Sequence, residues 1–171
     1  MPIGGAEWSA VMSRQRAEIL DAYGSFIASL APWTHFITLT HDPRRLANLD
    51  GQHTRVGLQR HRRLRKEFVF DVVRRLDPTA RWWSETELHL SGQPHEHAML
   101  AAAENAPVYS MMAEWYALGG AWRVERIEST HAAACYVAKY GEKAAAWEPM
   151  VAGLGLHRLP SHSLTFGRAI R

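Results

Sequence analysis

A single cysteine, Cys135, stands among 171 residues. It excludes an intramolecular disulfide, fits a reducing cytosol and completes no zinc motif with a second cysteine, so a packed thiol is expected. No run approaches the roughly 18 apolar residues of a membrane span. The start Met1-Pro2-Ile3-Gly4-Gly5 lacks the charged and apolar regions of a signal peptide. A cytoplasmic protein with no membrane partner is expected. Repeats and low-complexity tracts are missing. So is any G-x-x-x-x-G-K-[ST] phosphate loop, which excludes a built-in helicase by that motif. Acid is scarce between Arg44 and Arg81, where eleven Lys or Arg stand against four Asp or Glu.

What is present is ordinary globular material, 47% apolar and 22% charged with a net charge of +3. That is enough for one core between a sheet and a layer of helices, a single domain over 1–171. The densest basic run, Arg60-His61-Arg62-Arg63-Leu64-Arg65-Lys66, is either a solvated helix face or a surface that meets phosphates through Arg62, Arg65 and Lys66.

Periodicity divides the chain. Apolar residues at helical spacing from about Glu7 to Leu30 predict a leading helix within 1–32, stopped by Pro32. His35–Thr40 alternates and is rich in β-branched and aromatic types, a strand that ends before Asp42-Pro43. Leu64, Phe68, Val69, Val72, Val73 and Leu76 make one stripe of a long helix over Arg55–Leu76. Strands are expected at Ala80–Leu88 and His95–Ala102 about a Leu90-Ser91-Gly92 turn. A helix at Pro107–Leu118 ends at Gly119-Gly120, and a strand at Trp122–Ile127 follows. A last helix spans His131–Ala146, and Ser163–Ala169 is a possible further strand in the tail over 147–171. The class is α+β, with an antiparallel sheet and helices mainly on one face.

Two patterns carry chemistry. In Pro94-His95-Glu96-His97 the histidines are i and i+2 of a strand, so both imidazoles share a face. A three-residue loop at Leu90-Ser91-Gly92 places Glu87 opposite His95 and Glu85 opposite His97, and any odd-length loop keeps both carboxylates on the imidazole face. A His-His-Glu site follows, with Glu85 as the fallback ligand. Mixed nitrogen and oxygen donors suit Mg²⁺ or Mn²⁺ gripping a phosphate, with zinc a chemical alternative. Glu96, between the histidines, faces the other side. A buried carboxylate there needs a partner such as an arginine.

The second pattern is Tyr136-Val137-Ala138-Lys139-Tyr140. On a helix, Tyr136, Lys139, Tyr140 and Lys143 form one face of two phenols and two ammoniums. A phenol is a poor nucleophile at neutral pH, so attack on a phosphodiester needs a metal to withdraw charge and a cation such as Lys139 to favour the phenolate. The product is a 5′-phosphotyrosine and a free 3′-hydroxyl that can attack back.

These residues resemble the HUH endonucleases, specifically the nicking domain of rolling-circle replication initiators (Rep proteins) of plasmids and phages. Phe36-Ile37-Thr38-Leu39-Thr40 resembles the first family motif, Glu87 through His97 the metal motif, and Tyr136 through Tyr140 the tyrosine motif. The resemblance implies a five-stranded antiparallel, RRM-like sheet with the histidines on a central strand, and a catalytic core over 33–146. It implies Glu87, His95 and His97 as ligands of Mg²⁺ or Mn²⁺, Tyr136 as nucleophile, Lys139 as its helper and Tyr140 as a second tyrosine that either reacts or packs. It also implies Thr38, Thr40 and Lys143 beside the DNA, single-stranded DNA or a hairpin origin as substrate, and a host helicase and polymerase as partners. A single-strand DNA transposase uses similar chemistry. A non-catalytic DNA-binding repressor would use only the basic helix. Conjugative relaxases place the tyrosine before the histidines, the reverse of the order here.

Overall fold

The structure, a computed structural model, describes residues 5–42, 55–88 and 94–140. Helix α1 (Gly5–Ser29) precedes strand β1 (His35–Thr40). Helix α2 (Arg55–Glu67) continues through a π-helical stretch (Phe68–Val73) into a last turn (Arg74–Leu76). Strands β2 (Arg81–Leu88) and β3 (Pro94–Ala101), helix α3 (Val108–Leu118) and strand β4 (Trp122–Arg126) follow. Helix α4 occupies 130–140. The strands form one antiparallel sheet in the order β2-β3-β1-β4. From β1 to β4 this is the β-α-β-β-α-β plan of ferredoxin-like folds.

The sheet has four strands among the described residues where five were expected. The remaining candidate, over 163–169, lies outside them. A second correction concerns the helices, which cover both faces. On one face Ile37, Leu39, Trp82, Ala98 and Leu100 pack against Phe68, Val69, Val72 and Val73 of the α2 extension and Met111, Met112 and Trp115 of α3. On the other, Trp83, Met99 and Ala101 meet Ile27 of α1 and Ala134, Val137 and Ala138 of α4. The alternation of β3 explains this. Its Ala98 and Leu100 serve one layer and its Met99 and Ala101 the other, and all four are buried. Burying each of Phe68, Met111 and Met112 fully is worth roughly 1.5–3 kcal/mol.

Two glycines allow close approach. At Gly24 of α1 an added Cβ would overlap the sulfur of Cys135, so α1 and α4 touch backbone to side chain there. Gly120, at φ +148°, lies where an added Cβ would collide with the Thr40 carbonyl and come 2.6 Å from the Asp42 nitrogen. This turn is stitched to the end of β1 by Thr40 N–H to Ala121 O at 2.9 Å and Asp42 N–H to Gly119 O at 2.8 Å.

Candidate active site on the histidine strand

Strand β3 lies between β2 and β1, and the registers line up two rows across the sheet. Thr40, His95 and Glu87 face one another in one row, and Thr38, His97 and Glu85 in the next. The parity expected from the loop therefore holds. Each imidazole is held by its Nδ1: Thr40 Oγ1 lies 3.1 Å from that of His95, and Thr38 Oγ1 lies 3.4 Å from that of His97. His97 Nε2 points the other way and meets Glu87 Oε2 at 3.1 Å. Glu85 is fully buried and its Oε1 accepts from the Tyr23 hydroxyl of α1 at 3.1 Å. Burial, then the Glu85 charge and this hydrogen bond, push the Tyr23 phenol far above its ordinary value. Glu85 thus serves α1, while Glu87 stands at the imidazole edge.

Helix α4 brings its tyrosines onto this row. Ala134, Val137 and Ala138 bury its inner side, and the small residues let it lie close. The Tyr140 ring stacks on His97 with centroids 4.1 Å apart. Tyr136 meets the same imidazole edge-on at 5.8 Å and Phe36 at 5.5 Å. The two phenols differ in environment. Tyr140 is 5% exposed and Tyr136 is 46% exposed. Burial, then a hydrogen bond with Tyr136, then the Glu87 charge, push the Tyr140 phenol well above its ordinary value. Tyr140 therefore keeps its proton at neutral pH, with its ring 5.0 Å from that of Tyr136. Lys139 is exposed.

Beneath the site, on the opposite face, Glu96 is fully buried. Its Oε1 accepts from Arg65 at 3.2 Å, from Thr86 Oγ1 at 2.8 Å and from His61 Nε2 at 2.9 Å. His61 Nδ1 lies 2.7 Å from His41 Nε2, and the His41 ring packs edge-on to Trp115. Burial alone would push the Glu96 carboxyl up. The Arg65 charge and the hydrogen bond and charge of His61 outweigh it and hold the group far below the ordinary carboxylate range. Burial, and then His61, keep His41 well below the ordinary histidine value. The consistent proton arrangement has His61 Nε2–H donating to Glu96 and His61 Nδ1 accepting from His41 Nε2–H.

This network overturns one expectation. Arg65 is 7% exposed and turned inward, so it does not face phosphates. A buried carboxylate on β3 needs its charge matched more than the surface needs another cation. Lys66 remains exposed. The Arg62 side chain and all of Lys143 lie outside the described part.

A groove of about 720 Å³ opens beside Tyr136, lined by Phe36 and Thr38 of β1, Arg123 and Arg126 of β4, and Ser129 and Ala133 at the start of α4. Glu125 and Glu128 also line it, and Arg123 pairs with Glu125. The arginines of β4 escaped the sequence reading because a five-residue strand with three charges carries no motif. The one available signal was strand alternation, which turns Arg123 and Glu125 toward the histidine face with Thr38 and Phe36, while Arg126 pairs with His35 on the other.

The donor set formed by His95, His97 and Glu87 is chemically right for a hard or borderline divalent ion. Both imidazoles are held through Nδ1 by threonine hydroxyls, as outer partners orient metal ligands, and His97 Nε2 is turned to Glu87.

Fold and site together define an α+β protein whose central strand carries a histidine-carboxylate row beneath a tyrosine-bearing helix. The chain belongs to the replication-associated protein ORF2/G2P family, whose model matches residues 34–145. No curated protein and no solved structure matches it. No helix among the described residues is long and apolar enough to cross a membrane.

Proposed function

We propose that the protein nicks and rejoins single-stranded DNA through a 5′-phosphotyrosine on Tyr136, to start rolling-circle replication of a plasmid or phage as an HUH-type initiator. The observation that carries this is the half-exposed Tyr136 standing over His97 beside a groove whose lining includes Arg123 on the histidine face. Membership of a replication-associated family supports it.

On this reading His95, His97 and Glu87 hold Mg²⁺ or Mn²⁺, which when bound withdraws charge from the scissile phosphate. The residues of the chain do the rest. Thr38 and Thr40 fix the imidazoles. Arg123 meets the backbone phosphates of the strand in the groove, and Lys66 adds charge at a distance. The Tyr136 oxygen attacks phosphorus as the bond to the 3′-oxygen breaks. The phenolic proton passes to solvent and the 3′-hydroxyl is released protonated. Tyr140, which keeps its own proton, can donate it in a hydrogen bond to the negative Tyr136 oxygen that attacks. Lys139, one turn along, offsets developing charge on the phosphate. Rejoining is the same path reversed, and unwinding falls to a host helicase, with extension by a host polymerase.

Incubation with a random single-stranded DNA pool, including hairpins, and Mn²⁺ should give a covalent adduct that survives denaturing electrophoresis and maps to Tyr136 by mass spectrometry. EDTA and Tyr136→Phe should each abolish it. DNA binding without any adduct would replace this reading with that of a binding module.

A further inference from the structure

We propose that Asp21, His131 and Cys135 form a second metal site, for a thiophilic divalent ion such as Zn²⁺, which pins α1 to the start of the tyrosine helix. This goes beyond the nicking reading and does not depend on it. His131 and Cys135 are four apart on α4, so their side chains leave the helix on one side. Asp21 arrives from α1, 110 residues earlier in the chain. His131 Nε2 lies 3.0 Å from Asp21 Oδ1 and 3.4 Å from Cys135 Sγ, and the three donor atoms all fall within 4.8 Å of one another. Zinc bonds of about 2.0–2.3 Å at tetrahedral angles put donor atoms roughly 3.3–3.8 Å apart. The cluster is already near that size.

His131 Nε2 carries either a proton, which it gives to Asp21 and can share with the weakly accepting Cys135 sulfur, or a lone pair, which can accept from the Cys135 thiol or hold an ion. A cation at the centre satisfies all three lone pairs together. Gly24 contributes the room, since any side chain there would strike the Cys135 sulfur and push α1 away.

The donors also select the ion. One thiolate, one imidazole and one carboxylate suit zinc and its neighbours, whereas the imidazole-carboxylate row under Tyr136 has no sulfur and suits harder ions. Binding replaces the Cys135 S–H bond by a sulfur-metal bond and releases one proton to solvent. Burial and the Asp21 charge push the free thiol up, so it is a proton-bearing group until an ion displaces the proton. Water completes the coordination. Because Cys135 directly precedes Tyr136, an ion here holds the first turns of α4 against α1.

The test uses the full chain, reduced and stripped of metal, titrated with Co²⁺. One equivalent should produce the near-ultraviolet absorption of a cobalt-thiolate bond, and Zn²⁺ should bleach it. Cys135→Ser and His131→Ala should lose the band, and Asp21→Asn should weaken Co²⁺ binding at least tenfold. The double variant His95→Ala with His97→Ala should keep the band, which separates this site from the active-site row. Circular dichroism checks that each variant folds. If one does not, alkylation of Cys135 in the unaltered protein decides, since Zn²⁺ should protect it. Absence of the thiolate band in the folded protein, its persistence in His131→Ala, or unprotected alkylation would overturn the proposal.

Discussion

Replacing Glu96 by Ala leaves the Arg65 guanidinium buried without its counter-charge and frees His61 Nε2 and Thr86 Oγ1 from their shared acceptor. Breaking a buried pair in this way costs about 3–5 kcal/mol. Denaturant unfolding of Glu96→Ala should show that loss, and Glu96→Gln, which keeps an acceptor, should lose less. On the other face, Thr38→Val and Thr40→Val remove the hydroxyls that hold the imidazoles. On the proposed metal role they should weaken Mn²⁺ binding about 10- to 100-fold by calorimetry while the fold persists. At this scale the sequence was informative where a residue had an unmet need. Glu96 called for an arginine from its position between two outward histidines, and the structure supplies Arg65. Which arginine would answer was not legible, because the run from Arg60 to Lys66 offers several cations at helical spacing. The same blindness put Arg65 among the phosphate contacts.

Gly120 ties the α3-β4 turn to the end of β1. Its φ of +148° is one that L side chains rarely adopt, and the carbonyl of Thr40 occupies the space a Cβ would need. Gly120→Ala should therefore destabilise the protein by roughly 1–3 kcal/mol, seen as a lower Tm. The hydrogen bond between Thr40 Oγ1 and His95 should loosen with it, because β1 ends at that turn. The strand elements were readable from alternation. The parity of β2 on β3 was too, because an odd loop fixes it whatever its turn type. The placement of α1 and α4 was not. An amphipathic helix declares that one side is buried but not which face of the sheet receives it. Both faces of β3 are apolar toward its end, and Trp83 and Met99 are the residues that draw α1 and α4 to the histidine side. The π-helical stretch was hidden as well, since adjacent buried pairs such as Phe68-Val69 and Val72-Val73 fit the stripe of an ordinary helix.

The molecule as a whole should be stable in a bounded pH window. His41 is held below its ordinary 6.5, so as pH falls past that value the unfolded chain takes up a proton that the folded one refuses. Glu96 is held below its ordinary 4.5, so the stability it contributes is complete above that value and is lost as pH falls. Tyr23 and Tyr140 are pushed above their ordinary 10.0, so their contribution is complete below that value and is lost as pH rises. Tm should plateau between about pH 6.5 and about pH 10 and fall on both sides, a profile that thermal melts across buffers will check. Affinity for single-stranded DNA should fall with salt. On the proposed function, if the groove neutralises about three phosphates, the logarithmic slope is about −2, and Arg123→Ala should reduce it by about 0.7. Among the described residues the groove beside Tyr136 is an open trough between β1, β4 and α4. A strand can be laid into such a trough from the side, whereas a tunnel must be threaded from an end. On the proposed function, closed circles, which have no end to offer, should therefore be taken on the same terms as linear strands.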